Sequence, residues 1–216
     1  MSEASLREIQ DYYGKVLRTS NDLRTDACTT IAAPPAAVRR ALSNVHPEVS
    51  ARYFGCGLVA PQALDGCRVL DLGSGSGRDA YVLAQLVGQR GAIIGVDATP
   101  EQLAVARTHE EWHRRRFAFD RSNVTFIEGD IARLAELDLT PRSFDVVFLD
   151  PPFGGDWLDR ALPLVVPLVR EDGFLYVESG APLDLAAADA LAGWAVVRQG
   201  KAGAVHYHLL QRENGE

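Results

Sequence analysis

An apolar segment that runs directly into a glycine-rich turn constrains this chain more than any other feature. Residues 69–78 read VLDLGSGSGR, and a second apolar segment closes on Asp97, twenty residues after the last of these glycines. Glycines let the backbone approach a ligand closely, and an acid at the end of the next strand can reach ribose hydroxyls. The sequence therefore predicts a strand, a ligand-binding loop and a helix in a parallel α/β sheet.

The acid that precedes the glycines indicates the charge of the ligand. Asp71 stands two residues before Gly73, where it would repel the pyrophosphate of a dinucleotide and attract a cation. S-adenosylmethionine carries an ammonium and a sulfonium group and no phosphate. We therefore predict that Asp71, Gly73, Gly75 and Gly77 contact this cofactor and that Asp97 holds its ribose. The alternative is a tight strand-to-helix turn that binds no ligand.

Composition restricts the class of protein. A chain of 216 residues fits one α/β domain with a short extension, and no apolar stretch reaches the length of a bilayer span. The N-terminus has no basic region followed by an apolar run, which favours a cytoplasmic protein without a membrane partner. Three cysteines in such a chain do not indicate a disulfide framework.

The distribution of charge bears on nucleic-acid binding. The formal net charge is −7, and all of the excess acid lies in residues 123–216. Enzymes that act on nucleic acids usually present a basic face, because phosphate contacts supply most of their non-specific affinity. The one basic cluster consists of Arg114, Arg115 and Arg116 with Arg121, and it is typical either of a substrate track or of a solvated helix end.

Strand and helix patterns alternate from residue 67 onward, as they do around a parallel sheet. The predicted strands are 68–72, 92–96, 124–128, 145–149 and 174–178, followed by two more at 195–198 and 205–210 around a turn at 200–203. The predicted helices include 79–87, 99–116 and 183–191. In the helix 99–116, Thr99 is the expected N-cap and Gln102 completes a capping box. Residues 1–60 are predicted to form a helical extension that covers the substrate, and residues 61–216 the catalytic domain.

Five parallel strands followed by an antiparallel hairpin resemble the seven-stranded, Rossmann-like fold of class I S-adenosylmethionine-dependent methyltransferases. The resemblance covers about residues 60–212. It implies that the glycine loop lines the methionine part of the cofactor, that Asp97 holds the ribose, and that Asp130 with Ile131 contacts the adenine. By itself, Asp130 is nearly as typical of a turn that follows a strand.

A second motif follows the fourth strand, where an open α/β sheet presents groups to a ligand. Asp150, Pro151, Pro152 and Phe153 are consecutive there. Prolines remove two amide donors and leave carbonyl and carboxylate acceptors, which suit an amine nucleophile that must be positioned for transfer. Phe153 could stack on a flipped base. The alternative is a rigid proline turn after a buried strand.

This tetrad is similar to that of methyltransferases acting on exocyclic amines of nucleobases. Residues 144–212, with FLYVE at 174–178 and GAVHYH at 203–208, resemble the bacterial small-subunit ribosomal RNA guanine-N2 methyltransferases. The resemblance implies ribosomal RNA or the small subunit as partner and the tetrad as catalytic residues. His206 and His208 share a strand face without a third ligand nearby, so we predict a polar strand face and no metal site.

The first half of the chain resembles a different family, the arsenite methyltransferases. The matching segments are DYYGKVL at 11–17, LRTDAC at 23–28, HPE at 46–48, YFGCGL at 53–58 and residues 64–107. The resemblance implies that Cys28 and Cys56 bind the metalloid, since soft thiolates suit it. The alternative is two buried small hydrophobic residues. No cysteine follows Cys67, and the two resemblances meet near residues 117–123.

Three functions follow from these patterns. The tetrad touches the transferred methyl group, so methylation of guanine N2 in ribosomal RNA is the main prediction. Methylation of arsenite, As(III), through Cys28 and Cys56 is the alternative. The third is a cofactor-binding protein without a competent substrate site. The resemblances imply further cysteines after the fourth strand in one family and a basic N-terminal segment in the other, and this chain has neither.

Overall fold

The computed structural model describes residues 34–53, 64–151 and 156–213. Of the predicted site residues, Cys28, Cys56, Pro152 and Phe153 lie outside the described residues. The α-helices are α1 (Ala36–Leu42), α2 (Pro47–Ala51), α3 (Arg78–Val87), α4 (Pro100–Thr108), α5 (Glu110–Arg116) and α6 (Trp157–Val165). The strands are β1 (Arg68–Leu72), β2 (Ala92–Asp97), β3 (Val124–Glu128), β4 (Phe144–Leu149), β5 (Val169–Ser179), β6 (Trp194–Ala202) and β7 (Val205–Arg212). Three 3₁₀ turns cover Ile131–Glu136, Val166–Leu168 and Asp189–Leu191.

The strands form one sheet in the order β3-β2-β1-β4-β5-β7-β6. The first five are parallel, and β7 runs antiparallel to both β5 and β6. The predicted fold class is therefore confirmed. Strand order reverses between β1 and β4, and ligands of open α/β sheets bind at the carboxyl ends of the strands at such a point.

Apolar side chains cover both faces of the sheet, as a buried parallel sheet requires. On one face, α3 and α4 contribute Tyr81 and Leu103 to a cluster that also holds Phe126 of β3. On the other face, α6 packs Trp157 and Leu162 against the middle strands.

Helices α1 and α2 belong to the predicted extension, and they pack on the domain. Val38, Ala41, Val45 and Val49 are buried in the same cluster as Tyr81. The predicted boundary at residue 60 lies outside the described residues, so the division into 1–60 and 61–216 stays a prediction. None of the helices within the described ranges combines the length and apolar character needed to span a bilayer.

The predicted helix at 99–116 is interrupted. Helix α4 ends at Thr108, α5 starts at Glu110, and His109 between them has φ −100° and ψ 7°. His109 leaves the helical backbone region and lies against His46 and Glu48 of the extension. Thr99 is the N-cap residue and Pro100 starts the helix, as predicted, but the expected capping box is absent because the side chain of Thr99 makes no capping bond and donates to Asp97 instead.

Three boundaries differ in the last third of the chain. The predicted helix at 183–191 is a turn followed by one short 3₁₀ turn. The amide of Ala186 donates to the side chain of Asp184 and the amide of Leu183 donates to the ring of His208, so neither is available for a helix. Strand β5 begins at Val169, five residues earlier than predicted. The hairpin turn is shorter than predicted, since β6 continues to Ala202 and β7 starts at Val205.

Candidate cofactor site

The glycine loop, residues 73–77, connects β1 to α3 and is tied to the neighbouring strands. The amides of Gly73 and Ser74 donate to the carbonyl of Val96 at 2.8 and 3.1 Å. On the other side, the amide of Asp150 donates to the carbonyl of Leu72 at 3.2 Å. The loop therefore has a fixed position between the ends of β2 and β4.

Two of its glycines are required by geometry. Gly73 has φ +94°, and a Cβ built there would lie 2.7 Å from the carbonyl oxygen of Asp150. Gly77 has φ +83°, and a Cβ there would lie 2.7 Å from the ring of Phe126. Side chains avoid this backbone region, and neither position has space for one. The close approach brings the backbone of the loop against the end of β4.

Asp97 ends β2 beside the loop. One carboxylate oxygen accepts from the amide of Gly75 at 2.8 Å, and the other accepts from the amide of Thr99 at 2.8 Å. Burial raises the pKa of Asp97, and these bonds oppose the rise because they stabilise the charged form. A carboxylate can accept about four hydrogen bonds, so beyond these two amides and the hydroxyl of Thr99 it can accept from a further donor such as a ribose hydroxyl.

A cleft of about 280 Å³ lies beside Asp97, at the carboxyl ends of β2 and β3. Asp130 lines it, and its side chain also accepts from the amide of Ala132 at 2.8 Å, which starts the 3₁₀ turn. Ile131 is 7% exposed, packs in the core and does not line the cleft. Asp97 accepts from the glycine loop at Gly75, and its neighbour Ala98 lines the cleft, so an extended nucleoside could contact both.

Three carboxyl groups form what we call the acidic edge: Asp71, Asp150 and Glu178. Asp71 and Glu178 are 8% and 6% exposed, and each has one buried oxygen without a hydrogen-bond partner. The other oxygen of Glu178 accepts from the hydroxyl of Tyr176 at 2.9 Å. Sequence reasoning gave no role to Glu178, although this acid ends an apolar strand just as Asp97 does.

The acidic edge is hard to ionise. Burial raises the pKa of Asp71 well above its usual range, with further increases from Asp79 and Asp150. Burial raises the pKa of Asp150 to about 7, and burial together with Asp150 raises the pKa of Glu178 to about 9. Within the described residues, no arginine, lysine or histidine forms an ion pair with these three groups.

Such an arrangement fits a cationic ligand. Unpaired carboxyl groups away from water cost stability unless a positive group neutralises them. The ammonium and sulfonium groups of S-adenosylmethionine supply that charge, whereas a pyrophosphate would be repelled. The residues present therefore fit the predicted cofactor.

The remaining predicted residues lie in several places. Pro151 is buried directly after Asp150. Cys67 precedes β1 at the opposite end of the sheet, where burial raises the pKa of its thiol. His208 is buried and accepts from the amide of Leu183, and Arg114 is paired with Glu111 at the surface of α5.

Comparisons with known proteins identify the family. A family model described as methyltransferase domain matches residues 63–187. Arsenite methyltransferase from Aquipseudomonas alcaligenes is 61% identical over 139 residues, which are 64% of this chain and 40% of that protein. The human arsenite methyltransferase is 51% identical over 142 residues, 65% of this chain and 38% of that protein. The chain thus spans about two fifths of the length of these relatives.

Solved structures agree with the fold. An arsenic(III) S-adenosylmethionine methyltransferase from Chlamydomonas reinhardtii is 30% identical, with a TM-score of 0.65, and the match covers 85% of this chain and 76% of that one. A putative methyltransferase from Escherichia coli, yhhF, is 21% identical with a TM-score of 0.56 over 71% of this chain and 79% of that one. The second likeness reports the fold alone.

These findings overturn the main functional prediction. Methylation of guanine N2 in ribosomal RNA is wrong, because the strong similarity over about two thirds of the chain is to arsenite methyltransferases. The predicted cofactor and family are confirmed, and the chain belongs to the class I S-adenosylmethionine-dependent methyltransferases.

Proposed function

We propose that this chain transfers a methyl group from S-adenosylmethionine to trivalent arsenic, with arsenite as the substrate. The observation that carries the proposal is the 61% identity to an arsenite methyltransferase over 139 residues. A metalloid is also a better match than RNA for a site whose described polar groups are mainly acidic.

The cofactor supplies an electrophilic methyl group on a sulfonium. Asp71 faces the ammonium end in this proposal, the glycine loop lies along the methionine part, Asp97 accepts from the ribose hydroxyls, and Asp130 lies on the adenine side. Asp150 is placed next to the sulfonium, where its charge stabilises the bound cation. These groups act by binding and orientation, which is how proximity lowers the barrier to a transfer.

The substrate reaches the site through the extension. Arsenic(III) is a soft centre, and the thiolates of Cys28 and Cys56 are suitable ligands. The extension is joined to the glycine loop: the hydroxyl of Ser76 donates to the carbonyl of Val49 at 2.9 Å. The guanidinium of Arg78 lies 3.3 Å from the ring centroid of Tyr53, three residues before Cys56. These contacts support the proposal that residues 1–60 form a cap over the domain at 61–216. We place the enzyme in the cytoplasm.

The test is transfer of labelled methyl to arsenite in the presence of a thiol, with products separated by chromatography and arsenic detected by mass spectrometry. Cys28→Ser and Cys56→Ser should each reduce product formation at least tenfold, because each removes a thiolate from the metalloid. Cys67→Ser is the matched control, since Cys67 lies at the other end of β1 and should leave turnover unchanged. Full activity in both of the first two variants would contradict the proposal.

A second candidate is a cofactor-binding protein without a competent substrate site. It is favoured by the sequence after Cys67, which holds no further cysteine, and by Asp150 at the end of β4. This candidate predicts binding of S-adenosylmethionine and only background transfer to arsenite. Transfer at an ordinary enzymatic rate would eliminate it.

A further inference from the structure

A cluster of potential metal ligands lies at the junction between the extension and the domain, apart from the cofactor site. His46, Glu48 and His109 each offer one ligand atom, and these atoms all lie within 4.8 Å of one another. His46 and Glu48 flank the start of α2, and His109 is the residue at which the chain passes from α4 to α5. Sixty-one residues separate Glu48 from His109, so the fold alone brings them together.

The three side chains are already in contact. The Nε2 atom of His109 lies 2.8 Å from a carboxylate oxygen of Glu48, and the rings of His46 and His109 are stacked with centroids 3.7 Å apart. The Nδ1 atom of His46 accepts from the amide of Glu48 at 3.2 Å, which is at the long end for such a bond. The side chain of Glu48 is 53% exposed and that of His109 is 13% exposed, so the cluster is open to solvent on one side.

A buried histidine fixes the backbone on both sides of the cluster. The Nε2 atom of His113 accepts from the amide of His46 at 3.0 Å, and its Nδ1 lies 2.7 Å from the carbonyl of His109. His113 is 1% exposed, and its ring stacks on Tyr81 at 3.5 Å. The backbones of two of the three candidate ligands are therefore held by one buried ring, while their side chains can still turn.

We propose that His46, Glu48 and His109 bind one divalent transition-metal ion of the zinc, copper or nickel class. Two imidazoles and a carboxylate are a common ligand set for these ions, with solvent completing the coordination. The three ligands that the described residues supply include no thiolate.

Binding requires the stacked rings of His46 and His109 to tilt apart, because the lone pair of each nitrogen lies in its ring plane and the two planes are nearly parallel. The ion takes the place of the hydrogen between Glu48 and His109, and ligand bonds of about 2.0–2.2 Å widen that contact beyond 2.8 Å. His46 exchanges its capping bond for the ion, and the amide of Glu48 turns to solvent at the start of α2. Any proton on a nitrogen that becomes a ligand is released to solvent, so no other reactant is needed.

The site has a structural consequence. An ion held by His46 and Glu48 on one side and His109 on the other ties α2 to the domain. Helix α2 also meets the glycine loop through Val49 and Ser76. The ion binds only when α2 is packed on the domain and the three ligands are together. It should therefore raise the melting temperature of the whole chain by mass action.

The experiment uses the full chain with its three cysteines blocked by iodoacetamide, and copper(II) chloride as the probe. Trp112 is 40% exposed and its ring lies 5.0 Å from that of His46, whereas Trp157 and Trp194 are 5% and 4% exposed in the core. We expect one ion per chain, quenching of the Trp112 fluorescence, and nitrogen hyperfine coupling from two imidazoles in the paramagnetic resonance spectrum. Copper should displace zinc from a chain loaded with zinc beforehand, because copper(II) binds such ligands more tightly.

Variants identify the ligands. His109→Gln and Glu48→Gln should each weaken copper binding at least tenfold, and His109→Gln should remove the two-imidazole signal. His206→Gln is the matched control, since it removes a histidine on β7 and should change neither quantity. Trp112→Phe should remove the quenching and keep the stoichiometry, which locates the ion without altering a ligand.

Two results would overturn the proposal. The first is unchanged affinity and an unchanged two-imidazole signal in His109→Gln. The second is copper binding to the wild-type chain without quenching of Trp112. Circular dichroism of every variant distinguishes loss of a ligand from loss of the fold. The quenching of Trp112 is measured in the wild-type chain, so that test does not depend on whether a variant folds.

Discussion

The two ends of the central strands differ in how they hold their carboxyl groups. At the amino end, Asp145 at the start of β4 accepts from the amide of Arg68 at 2.7 Å and forms an ion pair with Arg170 at 2.9 Å. At the carboxyl end, Asp71 and Glu178 each keep a buried oxygen without a partner. The same sheet therefore holds a neutralised acid at one end and unpaired acids at the other.

The difference separates stability from binding. An acid paired within the chain contributes to the free energy of unfolding, whereas an unpaired buried acid lowers it. Groups retained at such a cost are typical of functional sites. The paired acid at the amino end should therefore matter for stability alone, and the acidic edge should matter for the cofactor.

The largest effect is expected from Gly73→Ala. The substitution places a Cβ 2.7 Å from the carbonyl of Asp150 at φ +94°, so it strains the loop and moves the end of β4. Such strain costs roughly 1–3 kcal/mol, and we expect cofactor affinity to fall on the order of a hundredfold. Equilibrium dialysis with labelled S-adenosylmethionine measures it.

Gly193→Ala is the matched control for that prediction. Gly193 also has a positive φ, +75°, but no atom lies within 4 Å of a Cβ built there. The control should lose about 1 kcal/mol of stability and keep its affinity for the cofactor. Equal loss of binding in the two variants would mean that strain anywhere in the sheet disturbs the site.

The pH dependence of stability should be set by the acidic edge. The pKa of Glu178 is raised to about 9 by burial and by Asp150, Asp79 and Asp71, with Tyr176 opposing. The folded chain then binds more protons than the unfolded chain between its ordinary pKa near 4.5 and about 9, so the free energy of unfolding should increase as the pH is lowered through that window.

Urea unfolding at a series of pH values measures this slope. Glu178→Gln removes the titrating group, so its free energy of unfolding should vary less with pH. Relative to the wild type, the variant should gain most stability at high pH, where Glu178 is ionised. Cofactor affinity should change in the opposite direction and weaken at low pH, because protonated carboxyl groups no longer attract a cation. A slope that is the same in Glu178→Gln would place the titration elsewhere.

The smallest effect concerns the contact between extension and domain. Ser76→Ala removes the bond from a 3% exposed serine to the carbonyl of Val49, which should cost about 1–2 kcal/mol. Amide hydrogen exchange in residues 47–51 should accelerate. Ser143→Ala removes a bond of the same kind at the surface and should leave that exchange unchanged. Equal exchange rates in the two variants would show that the bond from Ser76 does not hold α2 in place.

Much of the fold could be predicted because strand patterns report burial directly. The bounds of β1 and β3 are as predicted, and β2 and β4 differ by one residue. The errors occur where distant groups decide the local backbone. His109 has a non-helical backbone and contacts Glu48, and the amide of Leu183 donates to the ring of His208. Neither partner is near in sequence.

The candidate site was predictable in part for the same reason. Asp71, Gly73 and Asp97 lie within or next to strands with clear patterns, so their spacing carried the information. Glu178 needed the burial of its carboxyl group to be known, and the cluster around His109 needed the tertiary fold. The substrate prediction failed because it gave the most weight to Asp150 and its prolines, which are few residues compared with the long similarity of the first half.

The most direct test of the acidic edge is titration calorimetry of S-adenosylmethionine with two variants that each remove one carboxylate. Asp71→Asn should weaken binding roughly 30- to 100-fold, as loss of a charge-assisted contact does, while the free energy of unfolding stays the same or rises. Asp145→Asn should bind as tightly as the wild type and lose about 0.5–1 kcal/mol of stability. Wild-type affinity in Asp71→Asn would contradict the account.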